Sequence, residues 1–150
     1  MFDKWDARFV EMAGVIATWA SCFQHERKIG CVIVKGKRIM TTGYNGAPSG
    51  IRTCVERGEC MRKKLGIESG TRQELCYAVH AEQNAIVQAA KLGVNIDGAT
   101  LYNTHQPCVL CAKIIVNAGI RRVVYRHGYP DDFSREILRE AGVRLEQYEA

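Results

Sequence analysis

Long apolar runs are missing from this 150-residue chain. No stretch approaches the roughly 18 apolar residues that a membrane-spanning helix needs, so no membrane partner is expected. Internal repeats, low-complexity tracts and proline-rich linkers are also missing, and only three residues are proline. The amino-terminal segment has early acidic residues and no apolar signal core, which predicts a cytoplasmic protein. What remains is the expectation of one globular domain, residues 1–150.

Cysteine, in contrast, is abundant, with seven residues. An odd number without an export signal argues against a disulfide framework, because the cytosol keeps thiols reduced, and favours metal binding. The formal net charge is +5, and the excess lies in residues 1–75, which carry 13 basic and 8 acidic side chains. This excess is too mild for a nucleic-acid polymer partner and suits a small ligand that carries phosphate.

Hydrophobic spacing predicts an α/β fold. An amphipathic helix from Trp5 to about Cys22 precedes two strands, Cys31–Val34 and Arg38–Thr42, that form a hairpin. A long irregular stretch then runs from Tyr44 to Leu75. Beyond it, helices and strands alternate, which indicates parallel strands with right-handed crossovers and a mixed five-stranded sheet, a hairpin plus β-α-β-α-β. The alternating segments are Ala81–Leu92, Ala99–Thr104, Cys108–Ala118, Arg122–Tyr125, Asp132–Ala141 and Val143–Tyr148.

Two short motifs stand at predicted helix starts. They are His80-Ala81-Glu82 and Pro107-Cys108-Val109-Leu110-Cys111. Cys108 and Cys111 lie three residues apart on one helical turn, and a helix amino terminus favours the thiolates that bind metal. With His80 they make three ligands for Zn²⁺ and leave a fourth position for water, the catalytic pattern. A redox role for the cysteine pair would leave His80 and Glu82 unexplained.

The same residues form the His-x-Glu…Pro-Cys-x-x-Cys signature of zinc nucleoside deaminases. Together with the segments Gly43–Gly50, His80–Ile86 and Thr104–Cys111, they make nearly the whole chain resemble the deoxycytidylate (dCMP) deaminases of the cytidine deaminase superfamily. The resemblance implies a three-layer α/β/α fold and zinc-dependent hydrolysis of dCMP to dUMP and ammonia, which supplies thymidylate synthesis. It also implies that Glu82 carries a proton from water to N3 of the base and later to the departing amine.

Substrate contacts are implied by the same resemblance. The residues concerned are Asn45 and Gly46, for the sugar or base, and Ala81 and Gln106, for the pyrimidine edge. Basic candidates for the phosphate are Arg27, Lys28, Arg52, Arg72 and Arg126. Position favours Arg126, because it follows the carboxyl end of a predicted strand and has Tyr129 nearby. His105 is a candidate for lining the base pocket.

The remaining cysteines suggest a second metal site. Related dCMP deaminases can carry a structural zinc near the long loop, and the resemblance implies Cys22, Cys54, Cys60 and Cys76 as ligands, with His25 as a substitute for Cys22. Such ligands would offset the entropy cost of ordering a loop of about 30 residues. The alternative is that these cysteines are small buried apolar residues, as Cys31 is expected to be.

Other functions stay open at this point. They are deamination of free cytidine, deoxycytidine or another small amino-heterocycle, deamination of tRNA adenosine, and a non-catalytic zinc scaffold. A tRNA enzyme needs a basic, aromatic surface, whereas aromatic residues make up 8% of this chain. A scaffold would have no use for Glu82. Family members are commonly hexamers regulated by dCTP and dTTP, so the resemblance implies a homo-oligomer, a hexamer, and names these nucleotides as effector candidates.

Overall fold

The structure is a computed structural model that describes residues 1–22, 27–68 and 70–149. Its five strands lie in the order β2-β1-β3-β4-β5. They are β1 (Gly30–Lys35), β2 (Arg38–Tyr44), β3 (Thr100–His105), β4 (Arg122–His127) and β5 (Arg144–Gln147). β1 pairs antiparallel with both β2 and β3, while β3, β4 and β5 run parallel. The predicted hairpin followed by β-α-β-α-β is confirmed.

Six α-helices occur in the described part of the chain. They are α1 (Lys4–Ala17), α2 (Cys54–Arg57), α3 (Met61–Lys64), α4 (Ala81–Leu92), α5 (Val109–Asn117) and α6 (Asp132–Glu140). α1 ends earlier than predicted, since the Thr18 hydroxyl donates to the Val15 carbonyl at 2.6 Å in place of continued helix. The predicted irregular stretch contains α2, α3 and a 3₁₀ turn at Gln73–Leu75. Within the described ranges, the helices are all too short or too polar to cross a bilayer.

The strand pleat sorts side chains onto two faces of the sheet. On the face covered by α1, called the α1 face, the packed residues include Phe9, Val10, Val32, Val34, Tyr102 and Val124. On the face covered by α4, α5 and α6, called the three-helix face, they include Cys31, Ile33, Leu101, Ala112, Val123 and Leu138. The result is three layers, helix on sheet on helices, with residues 31–34 alternating between the two cores.

A buried polar network ties the α1 face together. The Asp6 carboxylate is 4% exposed and accepts hydrogen bonds from the Tyr102 hydroxyl at 2.7 Å and from Arg122 Nη1 at 2.7 Å. Arg122 also pairs with Glu146 of β5. Burial alone would raise the pKa of Asp6, but hydrogen bonds from Arg122, the Asp3 amide and Tyr102 lower it overall. The network therefore joins α1 to β3, β4 and β5 with its charges paired.

The three-helix face brings α4 unusually close to β2. A Cβ placed on Gly43 would collide with the Ala81 carbonyl oxygen and lie 2.6 Å from the Ala85 amide nitrogen. Only a residue without a side chain fits there, so the first turn of α4 rests directly on the β2 backbone. This contact sets the position of the turn that begins just after His80.

Candidate metal centre and active-site cavity

His80 and Cys108 are the residues that immediately precede α4 and α5, so both stand at helix amino termini. His80 Nδ1 lies 3.3 Å from Cys111 Sγ and 3.5 Å from Cys108 Sγ. The Gln83 side chain accepts a hydrogen bond from the His80 backbone N–H at 2.9 Å, which satisfies a backbone donor at the start of α4. Within the described residues, these three form a compact group whose ligand atoms all lie within 4.8 Å of one another.

The chemistry of these donors fits Zn²⁺. A hydrogen bond from the Cys111 thiol lowers the pKa of Cys108 to about 4 although burial opposes the shift, which favours the thiolate form that binds metal. The same hydrogen bond, together with burial, raises the pKa of Cys111. The pKa of His80 is raised chiefly by its hydrogen bond to Cys108, while burial opposes the rise. Two sulfurs and one imidazole are a preferred ligand set for zinc, with one position left over.

Glu82 lies on the first turn of α4, 4% exposed, and lines the same cavity as His80 and Cys108. Burial is the main cause that raises the pKa of Glu82, and the Cys108 charge adds to the rise, while His80 opposes it. A buried carboxyl with a raised pKa beside metal ligands is typical of groups that exchange protons during a reaction.

A cavity of about 510 Å³ opens over these residues. This volume is in the range of small-molecule sites. Its walls include several residues that the sequence suggested for the substrate, namely Asn45, His105, Gln106 and Tyr129. Two of the candidate metal ligands, His80 and Cys108, therefore line one cavity together with the Glu82 carboxyl and these polar side chains.

The predicted substrate residues differ in whether their polar groups already form hydrogen bonds within the protein and in whether they line the cavity. The Asn45 amide accepts from the Ile29 N–H at 2.8 Å and donates to the Arg27 carbonyl at 2.6 Å, so it fixes the backbone before β1. Gly46 exchanges backbone hydrogen bonds with Val79 and does not line the cavity. Ala81 is fully buried between His80 and Glu82.

Of the basic residues suggested for the phosphate, Arg27 lines the cavity. The others, Lys28, Arg52, Arg72 and Arg126, are not among its lining residues in the part of the chain that the structure describes. Arg126 is exposed, with its guanidinium carbon 6.0 Å from the Tyr148 ring centroid, so its position does not support a substrate contact. The cavity wall instead contains Arg62, which is 9% exposed. Sequence reasoning missed Arg62 because a basic run such as residues 62–64 normally indicates a solvated surface.

The four cysteines suggested for a second metal, Cys22, Cys54, Cys60 and Cys76, line this cavity too. Burial raises the pKa of the Cys54 thiol, and Cys76, Cys22 and Cys60 add to the rise, which makes the four neighbours. They do not form a set as compact as the His80 group. His25, the suggested substitute ligand, lies outside the described residues. Cys31 is fully buried in the core, as predicted.

Residues at the start of α6 hold the loop that carries Cys108. Asp131 Oδ2 accepts from the Val109 N–H at 2.8 Å, and its Oδ1 accepts from the Ser134 N–H at 2.9 Å. The Ser134 hydroxyl donates to the Pro107 carbonyl at 2.6 Å. The Gln106 side chain is held between the Asp131 carbonyl and Arg135. Asp131 was not predicted from the sequence, because its hydrogen bond with the Val109 N–H joins residues 22 positions apart in the chain.

Comparison with known proteins shows the family to which the chain belongs. Residues 3–127 match the model of the cytidine and deoxycytidylate deaminase zinc-binding region. A deoxycytidylate deaminase of Schizosaccharomyces pombe is 39% identical over 146 residues, which are 97% of this chain and 44% of that protein. The deoxycytidylate deaminase of Mycobacterium phage D29 is 39% identical over 126 residues, 81% of this chain and 93% of that protein.

A solved structure extends the likeness to the fold. The dCMP deaminase of cyanophage S-TIM5 in complex with dCMP and dUMP superposes with a TM-score of 0.81 at 31% identity, covering 99% of both chains. The chain thus spans nearly all of these phage proteins but less than half the length of the yeast relative.

Proposed function

Because the chain belongs to the family of zinc-binding cytidine and deoxycytidylate deaminases, we propose that it hydrolyses dCMP to dUMP and ammonia. The observation that carries this proposal is the buried Glu82, which lines a cavity of about 510 Å³ together with His80 and Cys108 of the compact His80, Cys108 and Cys111 group. The relatives named for deoxycytidylate, and the cyanophage structure that holds dCMP and dUMP, support the choice of substrate.

The chain's own residues divide the chemistry between them. His80, Cys108 and Cys111 would hold Zn²⁺, which would lower the pKa of a water molecule to near 7 and so supply the nucleophile. Glu82 would take one proton from the attacking water and pass it to N3 of the cytosine. It would then take the second proton from the oxygen added at C4 and deliver it to the amino group, which leaves as ammonia. The amine is a poor leaving group until it is protonated, so one carboxyl serves both halves of the reaction.

Substrate positioning follows from the cavity walls. The backbone at Ala81 and the Gln106 loop hold the pyrimidine edge, while Asn45 and Tyr129 line the cavity where the sugar is bound. Gly46 remains a prediction from the sequence, since it does not line the cavity. Since the Gln106 side chain is engaged with α6, its contribution is through the backbone. Arg126 remains a prediction from sequence alone.

A second, structural zinc bound by Cys22, Cys54, Cys60 and Cys76 is also part of the proposal. Support comes from their shared cavity wall and from the mutual effect on the Cys54 pKa. Elemental analysis of purified protein should give two zinc ions per chain, falling to one in Cys54→Ser and staying at two in the control Cys31→Ala. One zinc ion in the unaltered protein contradicts the second site.

The wider expectations are proposals as well. A single domain over residues 1–150 is supported by one sheet that takes strands from Gly30 to Gln147. A cytoplasmic location is supported by seven free cysteines, which suit a reducing compartment.

A homo-oligomer, a hexamer by family resemblance, is supported by exposed Val87 and Ile114 on α4 and α5. Saturation curves with and without dCTP and dTTP test whether these nucleotides are effectors.

A substrate panel tests the activity. Ammonia release is measured on dCMP, deoxycytidine, cytidine, dCTP and a tRNA anticodon hairpin. We expect dCMP to give a kcat/KM at least about tenfold above any other substrate, as a phosphate contact worth one charge-assisted hydrogen bond would produce. Preference for cytidine contradicts the nucleotide assignment and leaves the deamination chemistry in place. Absence of turnover on every substrate contradicts the enzyme assignment.

A further inference from the structure

The guanidinium of Arg62 lies in the cavity wall with few partners. α3 carries it into the interior, where the residue is only 9% exposed. Its Nη1 donates to the Thr71 carbonyl at 3.2 Å, whereas its Nε is buried and has no hydrogen-bond partner in the described part of the chain. None of the ion pairs formed by the described residues includes Arg62.

Burial of the charged Arg62 side chain costs the ligand-free protein desolvation free energy. A guanidinium cannot shed its proton at neutral pH, so it cannot avoid the penalty of burial by becoming neutral. A buried charge is normally matched by an opposite charge and by further hydrogen bonds. A cavity-facing arginine with no carboxylate partner among residues 1–22, 27–68 and 70–149 is therefore suited to an anion that arrives with the ligand.

The surroundings of Arg62 are polar and face the same space. Gln73 Nε2 donates to the Tyr129 hydroxyl at 3.4 Å, and both residues line the cavity with Arg62. Burial raises the pKa of Tyr129, and the Arg62 charge opposes that rise. The guanidinium thus lies in the same cavity wall as the Gln73 and Tyr129 side chains.

We propose that Arg62 binds the 5′-phosphate of the substrate nucleotide, with Gln73 and Tyr129 as neutral hydrogen-bonding neighbours. This inference rests on the proposed function. It identifies Arg62 as the residue that makes the enzyme prefer the nucleotide dCMP to the nucleoside deoxycytidine. The planar fork of arginine matches two phosphate oxygens at once, which a lysine cannot do. Arg27 is the other basic residue on the cavity wall among those described, but it is only half-buried.

The experiment compares dCMP with deoxycytidine, which differ only in the phosphate. Arg62→Gln should raise KM for dCMP by about 10- to 100-fold, the range of a lost hydrogen bond to a charged group. Its kcat/KM for deoxycytidine should stay within about threefold of the unaltered enzyme. Lys63→Gln, which removes an exposed charge from the same helix, is the matched control and should leave both substrates unchanged. Arg27→Gln is measured in parallel.

Different failures have different meanings. If Arg62→Gln loses both substrates equally, or loses zinc, Arg62 serves the fold or balances the charge of a cysteine-bound metal, and the inference is wrong. If preference for dCMP survives in Arg62→Gln, or disappears only in Arg27→Gln, the inference is also wrong while the proposed function stands. If the unaltered enzyme shows no preference for dCMP over deoxycytidine, the proposed function falls and this inference falls with it.

A second variant covers the case in which Arg62→Gln does not fold. Arg62→Lys keeps the positive charge and loses the fork, so it should fold and still raise KM for dCMP several-fold without affecting deoxycytidine. Inorganic phosphate should protect the unaltered protein against thermal unfolding, and protect Arg62→Lys less. Equal protection of the two proteins, with equal KM values for dCMP, overturns the inference.

Discussion

Arg122 and Arg62 show two ways in which this protein keeps a guanidinium away from water. On the α1 face, Arg122 contacts two carboxylates, those of Asp6 and Glu146. In the cavity wall, Arg62 has one carbonyl partner and a buried Nε without a partner among the described residues. The Arg122 charge is paired within the chain, whereas under our proposal the Arg62 charge is paired by the substrate phosphate. If that proposal holds, the number of carboxylate partners distinguishes an arginine that stabilises the fold from one that binds substrate.

The two buried carboxyls, of Asp6 and Glu82, make the same contrast. Both residues are 4% exposed, yet the pKa of Asp6 is lowered by its partners and that of Glu82 is raised, mainly by burial. The surroundings of Asp6 therefore favour its charged form, whereas those of Glu82 favour its protonated form. Equal burial leads to opposite behaviour because the hydrogen-bond donors are present in one case and sparse in the other.

The largest effect is expected on the cavity side of this contrast. Glu82→Gln removes the proton carrier but keeps the shape of the side chain, so turnover of dCMP should fall by about 10²- to 10⁴-fold. Zinc content and thermal stability should not fall, because a neutral amide is at least as easily buried as a carboxylate. Glu136→Gln, an exposed position on α6, is the control. Turnover within tenfold of the unaltered enzyme would rule out the assignment of Glu82.

A substantial effect on stability is expected on the α1 face. Asp6→Asn leaves Arg122 without its main counter-ion and should lower the free energy of unfolding by about 3 kcal/mol at neutral pH. Glu11→Gln, an exposed position on the same helix, should change it little. Urea unfolding measures both, and kcat per folded molecule should stay unchanged in both.

The pH dependence of the difference in unfolding free energy between the unaltered protein and Asp6→Asn shows whether Asp6 acts through its charge. Because the pKa of Asp6 is lower in the folded state, its stabilising effect is fully present above the unfolded value of about 3.9 and is lost as pH falls through the folded value. The gap between the unaltered protein and Asp6→Asn should therefore narrow below about pH 4. A gap that is equally large at pH 3 and pH 7 would show that Asp6 acts by packing and not by charge.

The smallest effect concerns the support of the Cys108 loop. Asp131→Asn weakens the hydrogen bond to the Val109 N–H and should lower zinc affinity by about tenfold, the lower end for partners that orient metal ligands. Asp132→Asn, the exposed neighbour, is the control. Competition with a fluorescent zinc chelator measures the affinity. Equal affinities in the two variants would mean that Asp131 only caps α6.

Much of the architecture follows from sequence pattern, since periodicity and motif spacing are local. The bounds of α4 were predicted as found, at Ala81–Leu92, and the strand connectivity is confirmed. The proximity of His80 to Cys108 and Cys111 could be predicted from the His-x-Glu…Pro-Cys-x-x-Cys motif, because these three residues bind one zinc ion in zinc nucleoside deaminases. Arg62 and Asp131 could not be predicted, because their roles depend on which distant segments pack against them. A basic residue in a basic run carries no local sign that it is buried.

The absence of a side chain at Gly43 has a further consequence for the metal centre. His80 and Glu82 lie at the start of α4, and Cys108 and Cys111 lie at the start of α5. The spacing between these halves is governed by how deeply α4 seats on β2, where a single methyl group would collide with the Ala81 carbonyl. The absence of a Cβ at Gly43 of β2 therefore contributes to the distance between His80 Nδ1 and the sulfurs of Cys108 and Cys111.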